Sequence, residues 1–156
     1  MKTLFEIIKA GIIATAIMTA MMLGAPMMGM PEMPIGNMLA DFMGMPVAMG
    51  WVAHFMIGIS IAAGYILFFS KKFMSVGPFS GIIYSIIPFL AAQLMVMPMM
   101  GAGVFSSNTP TPMMMVMGSL VGHVVYGLIL GAISKRCIIK EILSDKNSSN
   151  LAVKQG

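Results

Sequence analysis

The chain has 156 residues, enough for one domain. Apolar residues make up 58% of it and charged residues only 9%, against about 25% charged in ordinary soluble domains. So few charges cannot dress a water-facing surface, and lipid must cover most of it. The net charge is +4, but the Lys and Arg fall at helix ends. The basic balance therefore reads as membrane orientation and not as nucleic-acid binding.

Four apolar stretches, near residues 4–25, 47–69, 78–97 and 113–134, are each long enough to cross about 30 Å of hydrocarbon, which takes roughly 20 helical residues. They are continuous and not alternating, so they predict helices. Pro26 and Pro98 end the first and third spans; Pro46 and Pro112 open the second and fourth, where a missing N–H costs nothing. Lys2 and Lys9 flank span one, Lys71 and Lys72 lie between spans two and three, and Lys135, Arg136, Lys140, Lys146 and Lys154 follow span four. The opposite loops carry only Glu32 and Asp41 as charges. The positive-inside rule then predicts a multi-pass protein of the bacterial inner membrane with both termini in the cytoplasm. Span one starts basic and ends in small residues, like a signal peptide, but Pro26 after the cut argues against cleavage.

Gly11-Ile12-Ile13 and Pro26-Met27-Met28-Gly29 in span one recur as Gly81-Ile82-Ile83 and Pro98-Met99-Met100-Gly101 in span three, 70 and 72 residues later. His54 with Gly58 in span two recurs as His123 with Gly127 in span four. The expected fold is thus an all-α integral membrane protein: four transmembrane helices in two tandem helical hairpins, about 1–72 and 73–140, related by a pseudo-two-fold along the membrane normal. A polar cytoplasmic tail, 141–156, follows, expected to be disordered from about Asp145. Gly118, Gly122, Gly127 and Gly131 in span four, with Gly58, Ala62 and Ala63 in span two, point to these two helices as the packing core, with Gly122 at a close contact. Pro88 should kink span three. In the loop 26–46, Ile35, Met38, Leu39, Phe42 and Met43 recur at helical spacing, which predicts a short amphipathic helix in the interface. The loop 98–112 shows no such pattern. Cys137 is the one cysteine, at a helix end; it excludes a disulfide framework and a four-Cys zinc site and reads as a reduced thiol.

The stretches Met49-Gly50-Trp51-Val52-Ala53-His54-Phe55, Pro98-Met99-Met100-Gly101-Ala102-Gly103 and Gly118-Ser119-Leu120-Val121-Gly122-His123 resemble an uncharacterised family of small four-helix bacterial inner-membrane proteins. The likeness covers roughly the first 140 residues. The resemblance implies the topology and directs attention to the two histidines, and it carries no activity or site residues. It also implies that Leu is common where this chain uses Met.

His54 and His123 are the only histidines, and both lie deep in spans, where ionisable side chains usually face the bundle interior or a wet cavity. Each shares a helical face with its glycine four residues on, so the two imidazoles are expected to face one another across the axis. That arrangement suits haem b or a bridged metal; the plainer reading is two neutral histidines hydrogen-bonded to partner helices. Ser119, Gln93 or Thr19 would hold the second ring nitrogens. Methionine supplies 22 residues. Met27, Met28, Met99 and Met100 at one end of the bundle are candidate soft ligands for Cu(I) beside the histidines; as flexible apolar filler, Met also needs no ligand. Gln93 should hydrogen-bond across helices or line a cavity. No nucleophile–base pair or phosphate loop is present in the sequence. The expected function is a non-enzymatic membrane protein with a His-centred haem b or copper site. The alternatives are an accessory subunit of a larger membrane complex without cofactor, or a small oligomeric transporter.

Overall fold

The computed structural model describes the backbone of residues 2–69 and 76–154 and the side chains of 4–69 and 76–135. The Lys71–Lys72 connection and the Cys137 side chain lie outside these. Among the described residues there are five helices and no strand. α1 (Lys2–Gly24) runs into a 3-10 turn at Ala25–Met28. α2 (Ile35–Met43) is short, and Gly44 ends it in the left-handed conformation at φ 64°. α3 (Val47–Gly64) continues through a π turn, Tyr65–Phe69. α4 (Pro78–Ala91) continues through a π turn at Ala92–Val96 and a last turn at Met97–Met99. α5 is Pro112–Lys154.

Four helical segments are long and apolar enough to span a membrane: Leu4–Met28, Val47–Phe69, Pro78–Met99 and Pro112–Lys135. At 1.5 Å rise per residue each reaches roughly 33–38 Å, enough for the hydrocarbon core. The protein is a multi-pass, all-helical membrane protein. The prolines act as expected: Pro46 caps α3, Pro112 opens α5, and span one leaves α geometry just before Pro26. Pro88 sits inside α4 without an N–H for the carbonyl one turn back, and the ladder widens to π spacing four residues later.

Close packing is built on small residues, because association in lipid relies on van der Waals contact between backbones. In the α1–α3 hairpin, a Cβ on Gly11 would stand 2.7 Å from Ile59 Cα, and one on Gly58 would overlap the Thr15 hydroxyl. In the α4–α5 hairpin, a Cβ on Gly127 would overlap the Gly81 carbonyl and stand 2.7 Å from Ser85 Cβ, and one on Gly131 would overlap the Gly77 carbonyl. A third seam joins α1 to α5 around Ala10, Ala14, Met18, Tyr126 and Leu130. Spans one and four are therefore the more deeply buried pair. The expectation of spans two and four as the core is corrected: α1 is the helix that packs on both α3 and α5. Gly122 is corrected too. It faces the flexible Met18 side chain, with atoms 3.6 Å from a built Cβ.

The fourth seam, between spans two and three, is not packed like the others. These spans are tied near the chain-termini end only. There the Tyr65 and Ser80 hydroxyls bond at 2.6 Å, Tyr65 Oη–H lies 3.3 Å from the Gly77 carbonyl, and Tyr84 Oη–H donates to the Ile61 carbonyl at 2.9 Å. Tyr65, Phe69 and Tyr84 pack ring to ring, with centroids 5.1–6.1 Å apart. A strict pseudo-two-fold would pack this seam like that between α1 and α5, and it does not. Two further elements bear on the fold. α2 buries its small face, Gly36 and Ala40 with Leu39, against Gly50 and Trp51 of α3, and leaves Phe42 and Met43 exposed. The short helix is where the spacing predicts it, and its small face packs on α3. The backbone of α5 stays helical to Lys154, through the segment expected to be disordered, because extending an existing helix avoids the cost of nucleation.

Candidate functional site

His54 comes from the middle of α3 and His123 from α5. Each helix turns its glycine-bearing face inward because only that face lets the neighbouring backbone approach. Both histidines line one interior cavity of about 290 Å³. The two rings are held differently. His54 Nε2 is 3.0 Å from the Thr19 hydroxyl of α1, and its ring meets Trp51 and Phe55 edge-on at centroid distances of 6.0 Å. Phe89, 70 residues after Thr19 in the chain, stands against His123 at 5.8 Å. Phe89 offers no hydrogen bond, so His123 turns to its own helix: Nδ1–H donates to the Ser119 carbonyl at 2.8 Å. Thr19 and Ser119 thus hold the histidines, although Ser119 acts through its backbone.

The wall is mostly apolar. α2 lies over the end opposite the termini with Ile35, Met38 and Leu39, and Ser106 from the loop between α4 and α5 joins it. Polar atoms are few. Tyr126 lines the cavity and donates its hydroxyl proton to the Gly58 carbonyl, tying α5 to α3. Gln93 is fully buried in the π turn, where its Oε1 accepts from Ser106 Oγ at 3.3 Å. Its Nε2 has no protein partner, and neither has the buried Thr15 hydroxyl. Buried polar groups are normally paired, so these two stand out. Phe105 and Ser106, at φ 50° and 55°, are the described non-glycine residues with positive φ, the strained conformation by which the loop drops Ser106 onto Gln93.

Of the methionines proposed as ligands, Met100 lines the cavity with the histidines. Met27, Met28 and Met99 are 92%, 86% and 61% exposed and do not line it. Met27 and Met28 ride the 3-10 turn beyond the end of α1, and Met99 sits between Met97 and Met100, which take the inward positions one turn apart. Other thioethers occupy the wall instead, among them Met18, Met22, Met33 and Met115. Among the described residues there is no group of three or more His, Cys, Asp or Glu that could hold a metal. A metal here would need thioethers to complete its ligand set. Reasoning from sequence missed Tyr126 and Ser106. Tyr126 lies three residues past His123, a helical neighbour spacing that marks it; nothing in the sequence marks Ser106.

A family model described as a protein of unknown function, DUF2938, matches residues 40–135. The match takes in His54, Gln93, His123 and Tyr126 and leaves span one, with Thr15 and Thr19, outside it; it is narrower than the 140 residues expected. No curated protein and no solved structure matches the chain.

Proposed function

The chain belongs to the DUF2938 family, whose description assigns no function, and on that footing we propose a non-enzymatic inner-membrane protein that holds a small ligand within its bundle, anchored by His54 and His123. One observation carries this reading: the only two histidines, one from each hairpin, line a single cavity whose remaining wall is mostly apolar. A mostly apolar hollow with a few convergent polar groups is the usual form of a small-ligand site. The lysine distribution supports the orientation, with both termini cytoplasmic. The matching glycine contacts of the two hairpins support an ancestral duplication in which one seam later opened.

Size argues against haem b. About 290 Å³ lies at the bottom of the range for organic ligands, and no Lys or Arg lines the wall to meet two propionates. A soft metal is the second reading, favoured by the thioethers beside the imidazoles. His123 is set for it, because its Nδ1 is held by a carbonyl and its Nε2 is left to ligate. His54 would have to use Nδ1 while Thr19 keeps Nε2.

The test is native mass spectrometry of the full chain released from mild detergent, with a Cu(I) chelator competition alongside. Wild type is expected to carry a small bound mass that His54→Phe/His123→Phe loses while keeping its melting temperature within a few degrees. A bound copper that chelator removes selects the second reading. Wild type with neither bound defeats the interior-site reading and leaves the accessory-subunit or transporter alternatives.

A further inference from the structure

The open seam between spans two and three is not a featureless gap. A groove runs down it at mid-span, lined by Met56, Ile57, Ser60, Tyr84 and Ile87, with Ile61 and Pro88 at its floor. Ile57, Ile61 and Pro88 also line the interior cavity, so the two hollows meet at these side chains. Met56, Ile57 and Ile87 are about half exposed or more, at the depth where the neighbour is lipid. α2 and Ser106 lie over one end of the cavity, and the Tyr65–Phe69–Tyr84 cluster with the Tyr65–Ser80 hydrogen bond lies toward the other.

The polar side of the cavity is specific about what it needs. With Ser106 Oγ–H donating to Gln93 Oε1, the amide turns its NH₂ end to the cavity, and that Nε2 is unpartnered in a fully buried residue. The Thr15 hydroxyl, also buried and unpartnered, is a second donor in the same wall. Tyr126 has spent its proton on Gly58 and His123 its Nδ1–H on Ser119.

We infer that the cavity takes a lipid-soluble molecule that enters sideways from the bilayer between spans two and three, with a compact carbonyl-bearing head accepting from Gln93 and Thr15 and an apolar tail lying out along the groove. The inference rests on the interior-site reading above and adds the ligand class and route. A hydrophilic ligand would have to cross lipid or displace α2, and a ligand without an acceptor would leave both donors unmatched.

The probe is 2-decyl-1,4-benzoquinone, titrated into the full-length protein in nanodiscs. The readout is the fluorescence of Trp51, the chain's one tryptophan, whose ring lies 6.0 Å from His54. Expected results are saturable quenching in wild type, at least tenfold weaker affinity in Gln93→Leu, and at least tenfold slower association in Ile57→Phe. Decylbenzene, which has the tail and no carbonyl, should not compete. If Gln93→Leu fails to fold, the near-isosteric Thr15→Val carries the donor test. Quenching that does not saturate, or that none of these variants changes, overturns the inference. If wild type retains a small ligand that the benzoquinone does not displace, the ligand class is wrong and the interior-site reading stands. If nothing is retained and nothing binds, both fall.

Discussion

Gly127→Ala and Gly122→Ala should shift stability in opposite directions, although both exchange glycine for alanine in the same helix. At Gly127 the added methyl would overlap the Gly81 carbonyl and stand 2.7 Å from Ser85 Cβ, where carbon atoms prefer about 3.5–4.0 Å. Roughly an ångström of retreat is needed, and the obstacle is backbone, which moves only if α4 and α5 separate. Overpacking of this kind costs about 1–3 kcal/mol, and the helix propensity gained over glycine returns about 1 kcal/mol. The net expectation is a loss of up to about 2 kcal/mol. At Gly122 the same methyl finds Met18 Cγ and Cε at 3.6 Å, an ordinary contact with a flexible side chain. The propensity gain should survive there as a stabilisation of up to about 1 kcal/mol. Reversible denaturant titration in mixed micelles, followed by circular dichroism at the helical minimum, measures both. Equal shifts, or Gly122→Ala the more damaging, would refute the assignment of the tight crossing to Gly81, Gly127 and Gly131.

Tyr126→Phe removes the hydrogen bond to the Gly58 carbonyl and should cost about 0.6–1.7 kcal/mol, the span measured for interhelical bonds in membranes; the same titration reads it, and no loss would mean the bond carries no stability. Thr19→Val takes away the partner of His54 while Thr19→Ser keeps it. The first should weaken retention of the bound ligand by roughly tenfold, about the 1.4 kcal/mol of one hydrogen bond to a ring nitrogen, and the second should restore it. A periplasm-active reporter inserted near Ser106 is expected to be active and one fused after residue 156 silent; the reverse pattern would overturn the orientation read from the lysines. Ser106→Ala should loosen the loop and raise proteolytic nicking near Phe105, since Ser106 is the hydroxyl that anchors this strained turn to Gln93.

The spans were legible in the sequence because a bilayer imposes length, apolarity and charge asymmetry on each segment independently of its neighbours. α2 was legible as well, since Ile35, Met38 and Leu39 recur at helical spacing and do face the cavity. Its docking was not, because Gly36 and Ala40 look like gaps in an apolar stripe when they are the contact itself. The same difficulty put Gly122 at a crossing: a small residue shows that an approach is allowed, and only the partner shows whether it is used. The spacing of His54 and His123 in the sequence directs attention to both, and both line one cavity. How they are held turned on Thr19 against Phe89, a difference between hairpins that the shared motifs conceal. Of the methionines expected as ligands, Met100 lines the cavity and Met99 does not, since neighbours in sequence face different ways on a helix. Ser106 reaches the interior through two left-handed residues in a row, which no composition signal announces.

The unequal seams give the bundle a spine and an open edge. α1 and α5 bind the two hairpins along one line, while spans two and three meet in a clasp of tyrosine and serine at one end. The tight glycine crossings, Gly11 with Ile59, Gly58 with Thr15 and Gly81 with Gly127, each lie inside one hairpin, so what holds a hairpin together does not depend on how closely the two stand at that edge.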